Sequence, residues 1–110
     1  MTTSRDIDIN DSMVINRLDS YINQFFKILP IKENGDETLD KYMLSLQREM
    51  LGCQSLIVEL HYDSQYLTLL SILEYLIDND CDVSVVRSEV FKAINILKKM
   101  RDRYDAAHKG

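Results

Sequence analysis

Four carboxylates near the end of the chain have the spacing of a calcium-binding loop. Asp78, Asp80 and Asp82 stand at the first, third and fifth positions of an EF-hand-like loop, and Glu89 stands at its twelfth. Oxygen ligands at this spacing could surround Ca²⁺. The sixth position, however, is Val83, where the sharp turn of such a loop normally requires glycine. Because acidic residues also collect at helix N-termini, we favour a solvated capping loop and predict no metal and no cofactor.

Basic side chains on the last predicted helix are a second candidate site. Lys92, Lys99 and Arg103 share one face of that helix. Such a stripe could contact the phosphates of a nucleic acid or a charged protein partner. Residues 87–110 carry a net charge of +4, although the whole chain carries −5. No recognition-helix pattern or aromatic stacking surface accompanies the stripe, so we expect a protein partner and keep DNA binding as an alternative.

Catalytic patterns are lacking in the sequence. The two histidines, His61 and His108, are isolated, and no serine or cysteine has a recognisable base nearby. No glycine-rich phosphate loop is present. Cys53 and Cys81 have neither metal nor redox spacing, which predicts free thiols and a reducing compartment. We therefore expect a protein that is not an enzyme.

Composition favours a single helical domain. A length of 110 residues is typical of one domain. Only three glycines and one proline are present, fewer than a turn-rich β fold needs. The first ten residues lack the apolar run of a signal peptide, and the longest uncharged stretch, residues 64–73, is too short to span a bilayer. The sequence predicts a cytoplasmic protein without a membrane span.

Apolar periodicity predicts four helices. They cover residues 12–29, 37–61 and 64–77, and a fourth begins within residues 83–88 and ends near Tyr104. Pro30 is expected to end the first helix. The second helix carries a narrow apolar seam beside Gly52, a glycine that would let a neighbouring helix approach closely. The seam consists of Leu39, Met43, Leu46, Met50, Cys53, Ile57 and Leu60.

Short loops between these helices predict the fold class. It is all-α, an antiparallel four-helix bundle with up-down-up-down topology. The bundle occupies residues 12–104 as one domain, between a flexible N-terminal tail of residues 1–11 and a C-terminal tail of residues 105–110.

The third helix is apolar on nearly all sides. Such a helix is either central or half of an interface. We predict partner-binding residues at Leu69, Ile72 and Tyr75, together with the basic stripe, and a homodimer as one form of that contact.

Several short segments, in order along the chain, are Asn16-Arg17-Leu18, Leu46 with Arg48-Glu49, Leu60-His61 with Asp63, and Asp80-Cys81 leading to Val83 and Val85. Together they resemble the BssR family of enteric-bacterial biofilm formation regulators. Asp82 stands where the family has proline, and the first loop is shorter than the family's. This resemblance implies a small cytoplasmic regulator that modulates biofilm formation and signal-dependent gene expression, with no catalytic residues.

The functional hypothesis from sequence is a small non-enzymatic bacterial regulatory or adaptor protein that acts through protein–protein contacts. One alternative is an immunity protein or secretion chaperone, which masks a surface of its partner. A calcium-responsive or DNA-binding regulator is the other alternative.

Overall fold

Four α-helices make up nearly all of the structure, a computed structural model that describes residues 3–109, with side chains described for residues 12–58 and 60–106. No strand is present in this part of the chain. The predicted all-α bundle is confirmed. The helices are α1 (Thr3–Glu33), α2 (Leu39–Leu56), α3 (Ser64–Asp78) and α4 (Val83–Lys109), and a single 3₁₀ turn, Val58–Leu60, lies between α2 and α3.

One apolar core lies between the helices. The most extensive interface joins α1 to α4, while α3 packs against both α2 and α4. No charged residue among the described ones is buried as a whole. The predicted seam of α2 is confirmed as a core face, because Met43, Leu46, Met50 and Cys53 are buried and Leu39 packs against them. One face of α4 also contributes to the core, with Val86, Val90, Ala93, Leu97 and Met100 buried.

The end of α1 lies three residues beyond the proline expected to stop it. Pro30 is inside the helix, although it cannot donate a hydrogen bond to the preceding turn. The helix persists because Ile28 and Leu29, directly before the proline, are buried in the core. It ends instead at Glu33, and the turn that follows contains Gly35, whose φ of 66° is the left-handed conformation common just after a helix C-terminus. The prediction that Pro30 ends the helix is therefore wrong.

The second helix is shorter than predicted. It ends at Leu56, and Ile57 is extended with φ −113° and ψ 110°. The chain then folds back, so that the Gln54 side-chain amide donates to the Leu60 carbonyl oxygen at 3.4 Å. Ile57 and Leu60 still reach the core, the former half-buried and the latter buried. The apolar pattern was therefore correct for burial but wrong for the backbone conformation.

Helical backbone continues past both predicted domain boundaries. Residues 3–11 belong to α1, and residues 105–109 belong to α4. The rest of the two predicted tails, residues 1–2 and 110, lies outside the described residues. Within the described part, no helix combines the length and apolarity that a bilayer span requires.

Candidate protein-docking surface

Two of the three predicted partner-binding residues on α3 lie in the core. Leu69 is 0% exposed and Ile72 is 5% exposed, whereas Tyr75 is 47% exposed. The reason is that α3 packs against α2 on one side and α4 on the other, so its apolar faces are covered within the chain. Leu69 and Ile72 are thus inaccessible to a partner in this structure, which corrects their assignment as a docking surface.

The basic stripe on α4 is largely engaged in ion pairs within the chain. The Nζ atom of Lys92 lies 3.1 Å from Glu89. Arg103 pairs with Asp63, whose side chain is only 7% exposed. Of the three predicted cations, Lys99 alone makes no ion pair with the described residues. The stripe is therefore not a free cationic surface.

Asp63 connects the start of α3 with α4. Its Oδ1 accepts a hydrogen bond from the backbone N–H of Tyr66 at 3.0 Å, which makes it the N-cap that holds the first turn of α3. Its other oxygen accepts from Arg103. Arg103 therefore has a structural role, since it compensates the charge of a nearly buried cap.

The carboxylates of the EF-hand-like pattern point to different partners. The Oδ1 atom of Asp82 accepts from the Val85 N–H at 3.0 Å and from the Ser84 hydroxyl at 2.8 Å. These bonds cap α4 and lower the pKa of Asp82. Asp80 lies 3.8 Å from the ammonium of Lys32.

The other two carboxylates of this pattern lie in helices. Glu89 pairs with a lysine of α4, and Asp78 is the last residue of α3. Among the described residues, no three acidic, histidine or cysteine side chains are grouped as a metal site would require. The structure therefore assigns this region to helix capping and does not bring the four predicted ligands together.

A mostly apolar groove lies between α1 and the second half of α2. Its volume is about 270 Å³, below the ~300–1,000 Å³ of typical small-ligand pockets. We call it the α1–α2 groove; its lining residues are Met13, Arg17, Arg48, Glu49, Gly52, Cys53, Leu56 and Ile57.

Large apolar side chains are exposed where this groove ends. Leu56, Val58 and Tyr62 are 84%, 73% and 92% exposed. Leu60, between them, is buried and anchors the backbone. We call this stretch, residues 56–62, the apolar segment. Single exposed apolar residues are ordinary, but a concentration of them beside an apolar groove is typical of a binding surface.

Charged groups border the groove on one side. The guanidinium of Arg17 lies 3.2 Å from Glu49, and both side chains are substantially exposed. Arg48 is exposed and makes no ion pair with the described residues. Among the described lining residues Glu49 is the only carboxylate, and it already has a partner, so these residues together carry one uncompensated positive charge.

Tyrosine hydroxyls lie beneath the groove, next to Cys53. The Tyr66 hydroxyl donates to the Met50 carbonyl oxygen at 2.6 Å, and the Tyr21 hydroxyl donates to the Glu49 carbonyl oxygen at 3.5 Å. Desolvation by burial raises the pKa of both phenols, and the Cys53 thiol contributes in the same direction. The cysteine itself is a buried free thiol, as predicted.

Gly52 has no neighbour among the described residues where its side chain would be. A Cβ atom placed on it would meet nothing within 4 Å in this part of the chain. The close helix approach predicted at this glycine is therefore not made by the described part of the chain. The glycine opens the groove to solvent instead.

Replacing Gly52 with alanine should stabilise the protein. Alanine is favoured over glycine in a helix interior by about 1 kcal/mol, and the new methyl group would cause no steric clash. We expect a gain of up to that amount in the free energy of unfolding from urea titration. A loss of stability would mean that another group packs against this position.

Comparison of the chain with known protein families, with curated proteins and with solved structures gives no match. The function must therefore be argued from this surface. Sequence reasoning missed the surface because it continued α2 through Ile57 and Leu60, which concealed the break in the helix. The signal that could have indicated it is the run of apolar residues at Leu56 and Val58, which lie off the seam.

Proposed function

We propose that this chain is a small non-enzymatic regulatory or adaptor protein that acts through protein–protein contacts. The observation that carries the proposal is the apolar segment beside the α1–α2 groove. The core is complete without Leu56, Val58 and Tyr62, which remain in water when the chain is alone. A surface of this kind is stabilised when another protein covers it.

The free energy of burying the exposed apolar side chains favours a protein partner. Full burial of one large apolar side chain contributes about 1.5–3 kcal/mol. Three such side chains, with the groove, can therefore offset a large part of the ~4–15 kcal/mol that association costs in lost freedom of motion. Specific interfaces also need polar contacts at their rim, and Arg17, Arg48 and Glu49 supply these here.

Several of the described ionisable groups have structural roles, which supports a function without catalysis. Asp63 and Asp82 cap helices, and Glu89 and Arg103 are paired within the chain. DNA binding and calcium sensing are less well supported, because each would need side chains that already have partners. Regulation of biofilm formation in the cytoplasm rests on the family resemblance. Masking of a partner, as an immunity protein or secretion chaperone does, would use the same apolar surface.

A matched pair of variants tests this proposal. The surface variant carries Leu56→Ser, Val58→Thr and Tyr62→Ser. The control variant carries Leu67→Ser and Tyr75→Ser, two exposed apolar residues on α3. Each protein is used to capture partners from a lysate of the native host, with quantification by mass spectrometry. We expect partners of the wild type to be retained by the control and to fall at least tenfold with the surface variant.

Two results would contradict the proposal. Equal capture by all three proteins would show that the apolar segment does not bind. Loss of capture by the α3 control alone would place the binding surface on α3. Circular dichroism of each variant verifies that the helices are intact, and light scattering reports whether the captured partner is a second copy of the chain.

We infer in addition that neighbouring helices run antiparallel. Contacts between two helices occur in opposite residue order along them, which supports this arrangement. Between α1 and α2 the pairs are Arg17–Glu49 and Gln24–Tyr42, and between α1 and α4 they are Asp19–Arg101, Phe26–Phe91 and Glu33–Arg87.

A further inference from the structure

The shape and charge of the α1–α2 groove indicate what kind of partner segment it accepts. We infer that its occupant is an amphipathic helix of another protein, whose apolar side chains enter the groove and whose carboxylate pairs with Arg48. This inference rests on the proposed function, since it names the partner element that the surface binds. Helix-in-groove recognition of this kind uses anchors spaced three, four and seven residues apart.

Gly52 is the first argument for a helix. It lies in the interior of α2, where glycine costs about 1 kcal/mol relative to alanine, and no described residue occupies the space above it. Helix backbones approach one another most closely at small residues. The position therefore leaves room for a second helix backbone beside α2.

The size and lining of the groove are the second argument. A volume of about 270 Å³ is small for a complete metabolite but is sufficient for a few apolar side chains. Met13, Leu56 and Ile57 provide apolar contacts along its length. The exposed Leu56 and Val58 extend this contact beyond the groove. A continuous apolar stripe on a partner helix fits such a line of contacts.

Charge is the third argument and selects the partner's composition. Arg17 is paired with Glu49, so among the described charged residues of the lining Arg48 is left to pair with the partner. An arginine at the edge of an apolar contact forms strong, oriented hydrogen bonds with a carboxylate. A helix with a glutamate or aspartate beside its apolar stripe therefore fits better than a neutral or basic helix.

A second copy of the chain fits less well. In a symmetric dimer the same patch is present on both sides. Two α1–α2 grooves facing each other would bring two unpaired Arg48 side chains into the interface. Glu49, the one carboxylate that the described residues contribute to the lining, is already paired with Arg17. The charges favour an acidic partner of different sequence.

A displayed library of amphipathic helical peptides, about five turns long, tests the inference. The library has apolar residues at fixed helical spacing and random residues at the flanking positions. It is selected against the wild type, against Arg48→Glu and against Gly52→Leu. The matched controls are Lys98→Glu and Ser71→Leu, which change an exposed lysine on α4 and an exposed serine on α3.

With the wild type and both controls, we expect enrichment of peptides that carry an acidic residue at one flanking position. Arg48→Glu should exchange that preference for lysine or arginine. Gly52→Leu, which fills the groove, should weaken the selected peptides at least tenfold. Thermal melting of each variant separates these effects from unfolding.

Three results would overturn the inference. These are no enriched peptide, an enriched pool without a charge preference, and a pool that Gly52→Leu leaves unchanged. Self-association that Gly52→Leu disrupts would identify a second copy as the occupant and would also overturn it. If the surface variant loses its captured partners while Arg48→Glu and Gly52→Leu retain them, the proposed function stands and the helix inference fails.

Discussion

Replacing Leu69 with alanine should lower the free energy of unfolding by about 2–5 kcal/mol. Leu69 is fully buried between α2 and α4, so the substitution removes apolar contacts and leaves a cavity in the core. Because small domains are stable by only about 5–15 kcal/mol, a loss of this size is a large fraction of the total. Urea denaturation followed by circular dichroism measures it.

Tyr75→Ala provides the matched control on the same helix. Tyr75 is about half exposed, and surface substitutions usually change stability by less than about 0.5 kcal/mol. Comparable losses of stability at Leu69 and Tyr75 would show that α3 is not packed between α2 and α4. If Leu69→Ala lowers the stability only slightly, Leu69 is again a candidate for the partner-binding surface.

A second large effect should appear at high pH. Burial raises the pKa of Tyr21 and Tyr66 in the folded protein above the value of about 10 of an exposed tyrosine. Above about pH 10, the two phenols lose their protons in the unfolded chain but keep them in the folded protein. The stability that they contribute is therefore fully present below pH 10 and falls as the pH rises beyond it.

The two buried phenols set the slope with which stability falls as the pH rises. Each phenol contributes about 1.4 kcal/mol per pH unit while only the unfolded chain is ionised. Two phenols together would destabilise the fold by several kcal/mol by pH 12, enough to unfold a small domain. Urea titrations between pH 9 and pH 12 should show free energies of unfolding that decrease with increasing steepness.

Substitutions by phenylalanine identify the groups responsible. Tyr66→Phe should lower stability by about 0.5–1.5 kcal/mol at neutral pH, since it removes the hydrogen bond to Met50. At high pH it should reduce the slope, because of these two buried phenols Tyr21 alone then remains. Tyr62→Phe should leave the profile unchanged, since Tyr62 is 92% exposed. A profile with the same slope in all three proteins would assign alkaline unfolding to other groups.

The pair of buried tyrosines illustrates why a site is harder to predict from sequence than a helix. Tyr21 and Tyr66 are separated by 45 positions, and only packing of α1 against the other helices places both hydroxyls near Cys53. The ion pair of Arg103 with Asp63, the N-cap of α3, is another example, because the position of Arg103 on α4 does not predict it. Sequence spacing reports neighbours on one element, whereas these contacts join residues from different elements.

Local patterns determined much about this protein without tertiary information. The periodicity of apolar residues predicted four helices and most of the core, because burial of one helix face is the main source of helix stability in proteins. The N-cap at Asp63 and the turn at Asn34-Gly35 are local features as well. Each depends on hydrogen bonds or dihedral angles within a few residues.

Tertiary structure alone decided which apolar residues are left for a partner. The residues of α3 were apolar enough to serve as core or interface, and contact with α2 and α4 made Leu69 and Ile72 core. The break at Ile57 turned Leu56 and Val58 outward beside a groove that no single helix contains. The hydrophobicity of a side chain determines how much free energy its burial contributes. Only the packing of the helices determines which residues are buried within the chain.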